Sequence, residues 1–284
     1  VRLAQLDSRA VLVVDGSAVD VERASNGRFG SDPQALFGDW AAFREWGAGV
    51  SAEGGAPIDS ARLGAPVPRP GQVFAIGVNY VEHAAEAGYP ADSLPVTFTK
   101  FPSCLSGPNT EVELPTETVD WEVELVVVIG AVADRVDRAS AWDHVAGLTV
   151  GQDLSERVSQ NTGAKPQFSL AKSHRGFGPT GPWLVTLDEL ADPADLAIGC
   201  AISGESMQGS RTSNMIYDIP ELIARLSAVC VLQPGDLIFT GTPSGVGNAR
   251  TPKRFLAPGD VLRSEIEGIG TLEQTFHWAA GVGA

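Results

Sequence analysis

The rhythm of apolar and polar positions predicts most of the elements of this chain. Residues 121–130 read Trp121-Glu122-Val123-Glu124-Leu125-Val126-Val127-Val128-Ile129-Gly130, a β-branched run expected of a strand buried on both faces. Gln72 to Val78, Val145 to Gln152, Leu237 to Thr240 and Val261 to Ile266 read as further strands; the turns Pro234-Gly235-Asp236 and Pro258-Gly259-Asp260 lead into the last two. Near the amino terminus, Ala10 to Val14 is a short apolar run, and Val19 and Val21 alternate with Asp20 and Glu22 as a second strand would. Helical spacing recurs twice. Leu36, Trp40 and Phe43 mark one stripe within Pro33 to Trp46, and Leu222, Ile223, Leu226 and Val229 mark another within Asp218 to Cys230. Asn79 to Ala87 fits a short helix, with Asn79 as N-cap, Glu82 three residues on and Gly88 as the stop. Strands do not alternate regularly with long helices, which argues against a doubly wound sheet.

Pro57 is followed by Pro66, Pro68 and Pro70, a density that marks a linker or a rigid entry segment. The chain is therefore expected to divide into a small amino-terminal domain, residues 1–65, and a larger domain, residues 66–284.

Composition narrows the function. A net charge of −15 argues against nucleic acid as a partner but leaves room for a small anionic substrate held by local charge. The longest apolar run, Leu125 to Ala133, is too short to span a bilayer, and no amino-terminal stretch pairs a basic with an apolar region. Cys104, Cys200 and Cys230 form neither a zinc pattern nor a redox pair, so a reduced cytoplasm is the expected compartment.

The candidate chemistry begins with Glu122 and Glu124. Two residues apart on a strand, they project from one face at the edge of a core, where they repel each other and resist losing water. A hard divalent cation would remove both costs; a frayed, solvated strand start is the alternative. Asp153, at the end of the strand ending at Gln152, is either a turn former or a third carboxylate of the same site. His83 and Glu86, at i and i+3 of a helix, form either a general base with its orienting carboxylate or a solvated face. Lys172 is a candidate for binding a substrate carboxylate or polarising a carbonyl. The turn from Thr240 to Gly247 lacks the Gly-Lys-Ser/Thr of a phosphate loop, although its N–H groups and Thr242 suit a carboxylate. No Gly-x-Ser-x-Gly elbow is present, which counts against a serine hydrolase.

In order along the chain stand Gly77-Val78-Asn79-Tyr80 with His83 and Glu86, Phe98-Thr99-Lys100, Asp120-Trp121-Glu122-Val123-Glu124-Leu125, Asp153-Leu154-Ser155-Glu156-Arg157 with Gln160, Ala171-Lys172-Ser173, Gln208 with Thr212 and Met215, and Pro234-Gly235-Asp236 leading to Thr240-Gly241-Thr242-Pro243. This series, from about Pro70 to Thr275, resembles the fumarylacetoacetate hydrolase superfamily, and more closely its smaller bacterial acylpyruvase-like branch. Phe74-Ala75-Ile76 lacks the extra aspartate of the fumarylacetoacetase branch, and Gln152 stands where many relatives have asparagine. The resemblance implies an α+β, mainly β fold, with a β-roll catalytic domain behind a small α/β domain, usually as a homodimer. It implies a Mg²⁺ or Mn²⁺ site at Glu122, Glu124 and Asp153, and catalysis by His83, Glu86 and Lys172. Arg157, Gln160, Gly241 and Thr242 are expected to hold the substrate, with Arg157 fixing either substrate or Asp153.

The expected reaction is hydrolysis of a 2,4-diketo acid. His83 takes a proton from water, the hydroxide attacks the distal keto carbon, and the C3–C4 bond breaks to release pyruvate and a carboxylic acid. Decarboxylation of oxaloacetate, isomerisation or decarboxylation of 2-hydroxyhepta-2,4-diene-1,7-dioate, and a catalytically silent metal-dependent binding protein are the alternatives.

Overall fold

In the computed structural model, residues 1–86 and 96–282 are described. The strand Val123–Ile129 lies at the centre, paired antiparallel with Val145–Gln152 on one side and Leu237–Phe239 on the other. Its side chains divide by parity, as a period of two requires. Val123, Leu125, Val127 and Ile129 enter a core shared with Ile198, Ile202, Leu262 and Leu272. Val126 and Val128 enter the opposite core, with Leu12, Phe37, Trp40 and Phe43. An unbroken apolar run is needed because both faces are covered.

The first core is closed by a five-stranded sheet in the order 205–211, 197–202, 261–266, 270–278, 109–114. The second is closed by Pro33–Asp39 and Trp40–Gly47. The central sheet continues through Gly178–Val185 to Arg2–Leu6, with Leu3 opposite Leu184, so the strands of residues 1–65 extend the sheet of residues 66–284. This is the mainly β, α+β architecture expected from the sequence.

Val145–Gln152 and Val261–Ile266 have the expected bounds. Other expectations need correction. Val21 begins a short helix, Val21–Ala24, because the Asp20 carboxylate accepts from the Arg23 N–H and ends the strand. The stripe Leu36, Trp40 and Phe43 is buried, but Pro33–Asp39 is a 3₁₀ turn ahead of the α-helix. The Asp218 side chain caps the helix Ile219–Ser227 through the Glu221 N–H; Val229 lies beyond its end and is 86% exposed rather than on the buried stripe. The third helix is Val81–Glu86; Ala87 and Gly88 lie outside the described residues. Asn79 does not serve as its N-cap. Its amide donates to the carbonyls of Tyr217 (3.0 Å) and Thr240 (2.7 Å) and accepts from the Tyr217 N–H (2.9 Å), tying the helix entry to the Gly-rich turn. Among the described residues no helix is long and apolar enough to cross a membrane.

Candidate metal centre and catalytic cleft

Strand pairing builds the acidic site. Val123 lies opposite Gln152, so the residues just outside that pair, Glu122 and Asp153, are neighbours; the Asp153 N–H donates to the Glu122 carbonyl at 2.9 Å. The Gln152 side chain accepts from the Glu122 N–H (2.9 Å) and donates to Ser264 (2.8 Å), locking the strand entrance. Glu124 has the parity of Val126 and faces the same way as Glu122. The result is three buried carboxylates with ligand oxygens all within 4.8 Å of one another. This is the convergence expected from the sequence.

Glu122 and Asp153 share one partner, Lys172, and each has another besides. Glu122 accepts from Arg157 through Oε1 (2.7 Å) and from Lys172 through Oε2 (2.6 Å). Asp153 accepts from Lys100 through Oδ1 and from Lys172 through Oδ2, both at 2.7 Å. Glu124 Oε2 accepts from the Gly241 N–H at 2.8 Å. Gly241 has φ +99°, and a Cβ there would stand 2.7 Å from the Asn79 Cβ, so only glycine brings this N–H to the carboxylate.

The electrostatics separate the two glutamates. Burial pushes the Glu122 carboxyl up, but Lys172 and Arg157 more than offset this and hold it at about 2. Burial, Asp153 and Glu122 together push the Glu124 carboxyl well above the usual range. Asp120, Glu122, Glu124 and Asp153 thus face Lys100, Arg157 and Lys172, and among the described residues Glu124 makes no ion pair with an ammonium or guanidinium. Buried, anionic, all-oxygen donors fit a hard divalent cation.

His83 and Glu86 open onto the same cleft, a cavity of about 440 Å³ that also exposes Glu122, Glu124, Lys172 and Phe98. His83 Nδ1 lies 3.0 Å from Glu86 Oε2; His83 is only 9% exposed, while Glu86 remains exposed. The Gly245 N–H donates to Glu86 at 3.3 Å, so the Gly-rich turn anchors both Glu86 and Glu124. With Nδ1–H donating to Glu86, Nε2 is left as the proton acceptor.

The four residues expected to hold substrate have other partners as well. Arg157 binds Asp120, Glu122 and Gln160, and not Asp153, because its helix Arg157–Gln160 aims it at the strand entrance. Gln160 lines the cleft and accepts from Arg157. The Thr242 hydroxyl donates to the Val123 carbonyl (2.9 Å) and accepts from Gln208 (2.8 Å). Gly241 serves Glu124.

Two residues given no role from the sequence prove central. Lys100 is fully buried and donates to Asp153 and to the carbonyls of Lys172 and Phe177. Burial alone would pull its ammonium down, but Asp153 beside it holds it above the ordinary lysine range. Asp120 accepts from the N–H groups of Gly247 (2.7 Å) and Asn248 (2.8 Å) and from Arg157, joining the turn to the guanidinium. Parity was the available signal: Lys100 shares a face with buried Phe98, and Asp120 with Glu122.

The helix that presents Arg157 depends on Glu156, whose carboxylate accepts from the N–H groups of Val158 (3.0 Å) and Ser159 (2.7 Å) and from the Thr118 hydroxyl. Burial raises its pKa, but these hydrogen bonds bring it down to about 2. Its contribution is complete above the ordinary glutamate pKa of about 4.3 and is lost as pH falls through the folded value. Glu156→Ala is expected to cost about 1 kcal/mol at neutral pH. Urea unfolding should show the gap from wild type narrowing as pH is lowered from about 4 towards 2; a constant gap would contradict the role.

Residues 72–277 match the family profile described as fumarylacetoacetate (FAA) hydrolase C-terminal. A protein of Mycobacterium smegmatis, provisionally named HpcE, is 54% identical, with a TM-score of 0.90 covering 98% of this chain and 100% of that one. The maleylpyruvate hydrolase of Sphingobium sp. SYK-6, solved with manganese(II) and pyruvate, is 31% identical, with a TM-score of 0.81 covering 98% and 100%. The mitochondrial oxaloacetate tautomerase FAHD2A of Bos taurus is 45% identical over 210 residues, 73% of this chain and 67% of that protein. With most of its length matched in sequence and nearly all of it in structure, the chain belongs to the fumarylacetoacetate hydrolase family.

Proposed function

We propose that this protein is a divalent-cation-dependent hydrolase that splits the C3–C4 bond of an acylpyruvate-type 2,4-diketo acid into pyruvate and a carboxylic acid. The observation that carries this reading is the placement of the His83–Glu86 pair in one cleft with Glu122 and Glu124 of the carboxylate triad. Glu122, Glu124 and Asp153 would hold Mg²⁺ or Mn²⁺, which when bound supplies Lewis acidity toward the keto oxygens of the substrate. His83 Nε2 takes a proton from water while Glu86 stabilises the imidazolium. Lys172 and Gln160, which both line the cleft, orient the substrate carboxylate, and Phe98 and Phe168 give it an aromatic wall. A base of this kind also serves proton transfer between the keto and enol forms of oxaloacetate, and likeness to the bovine tautomerase supports that as the second reading.

Acylpyruvates, oxaloacetate and 2,4-diketo-3-deoxy sugar acids, each assayed with Mg²⁺ and with Mn²⁺, separate the readings. Cation-dependent release of pyruvate with one equivalent of carboxylic acid is the expected result. Interconversion of oxaloacetate tautomers with no C–C cleavage on any substrate would overturn hydrolysis in favour of the second reading. Mg²⁺ binding with neither oxalate affinity nor turnover would favour a binding protein.

A further inference from the structure

The partners of the triad divide its oxygens unequally. Arg157 takes Glu122 Oε1, and Lys100 takes Asp153 Oδ1. The remaining oxygens, Glu122 Oε2 and Asp153 Oδ2, are bridged by one ammonium, that of Lys172, at 2.6 and 2.7 Å. Lys172 thus bridges two of the three carboxylates whose ligand oxygens lie within 4.8 Å of one another and would share a cation with Glu124. An ammonium and a divalent cation that address the same two oxygens repel each other strongly at this range in a buried site.

Lys172 is also the member of the network best able to leave. If it moves, Glu122 keeps Arg157 and Asp153 keeps Lys100, so neither carboxylate is stranded without a cation. Its ammonium already stands 5.2 Å from the centroid of the Phe98 ring, and both residues line the cleft. Lys100 has no such freedom, being enclosed on all sides and bonded to two carbonyls besides Asp153.

We propose that the Lys172 ammonium competes with the divalent cation for Glu122 Oε2 and Asp153 Oδ2, and that loading the site drives it into the cleft, where it anchors the carboxylate of the substrate. The inference rests on the reading of the triad as a cation site. It makes Lys172 an internal counter-ion in one state and a substrate ligand in the other. An anion in the cleft holds the ammonium away from the triad, so anion and cation each strengthen binding of the other.

The test is calorimetric titration of Mn²⁺ into wild type, Lys172→Met, Lys172→Gln and Lys172→Arg, followed by oxalate at saturating Mn²⁺. Removing the competing charge should raise Mn²⁺ affinity by about tenfold or more in the Met and Gln variants. The Arg variant keeps the charge and should not gain. Oxalate affinity should fall in Met and Gln. Without cation, the thermal midpoint of both should be lower than that of wild type, and Mn²⁺ should raise it by more. Unchanged or weaker Mn²⁺ binding in both neutral variants would overturn the proposal and leave Lys172 as a fixed support of the ligands. Failure of wild type and all variants to bind Mn²⁺ would instead remove the cation site itself, and the proposal with it.

Discussion

His83→Ala is expected to lower acylpyruvate cleavage by about 10²–10⁴-fold, the usual contribution of a positioned base. The size of the loss follows from the constraint on the ring. Glu86 fixes one ring nitrogen, Gly245 fixes Glu86, and Asn79 ties the start of the helix to the turn that carries Gly245. Alanine removes the proton acceptor and leaves in place the hydrogen bonds of Arg157, Lys172, Lys100 and Gly241 to Glu122, Glu124 and Asp153, so Mg²⁺ affinity should largely survive. Decarboxylation of oxaloacetate needs no hydroxide and should fall much less. The informative quantity is the ratio of the two activities in wild type and variant. Equal losses would mean that His83 serves substrate binding or enolate protonation, and its role in activating water would have to be dropped.

Much of this site was legible in the sequence because strand periodicity is a local rule. Glu122 and Glu124 were placed on one face by counting in twos, and Asp153 by its position at a strand end. Parity would equally have turned Lys100 and Asp120 inward, but nothing local indicates whom a buried charge will meet. Lys100 reaches Asp153, 53 residues later, and Asp120 reaches Gly247, 127 residues later. Arg157 shows the same limit. Its proximity to Asp153 in sequence suggested a contact, whereas a short helix capped by Glu156 turns it toward Glu122 and Asp120. Asn79 has the side chain of an N-cap, yet tertiary partners on two other segments take its amide.

The fold divided along similar lines. Runs such as Val145–Gln152 set their own bounds because burial on both faces demands continuous apolar residues. The joining of Arg2–Leu6 to Gly178–Val185 has no local signature, since an edge strand accepts any partner of suitable pattern. Local charge also explains how a chain with a net charge of −15 can receive an anion. Three buried cations, Lys100, Arg157 and Lys172, stand against four buried carboxylates, so a divalent cation held by the triad would tip the local balance positive, while distant surface carboxylates are screened by water.

Glu124→Ala is expected to lower divalent-cation affinity by at least about 10²-fold, beyond the ten- to hundredfold typical of losing an outer partner, because a direct ligand goes. Activity should be lost with it. The fold should persist, and the reason lies in the burial of Glu124 between two like charges. That carboxyl is pushed up by burial, Asp153 and Glu122, so in the cation-free protein it is a burden on stability. Opposing its removal is the Gly241 N–H, which loses its acceptor at a cost of about 1–3 kcal/mol. Glu124→Gln separates the two effects, since the amide oxygen still accepts from Gly241 while the charge is gone. The order of cation-free thermal midpoints should therefore place Glu124→Gln at or above wild type and above Glu124→Ala, with both variants insensitive to Mg²⁺ where wild type is stabilised. Wild-type Mg²⁺ affinity in Glu124→Gln would remove Glu124 from the ligand set. A lower midpoint in Glu124→Gln than in wild type, measured without cation, would mean that the carboxylate has a stabilising partner in the cleft beyond Gly241.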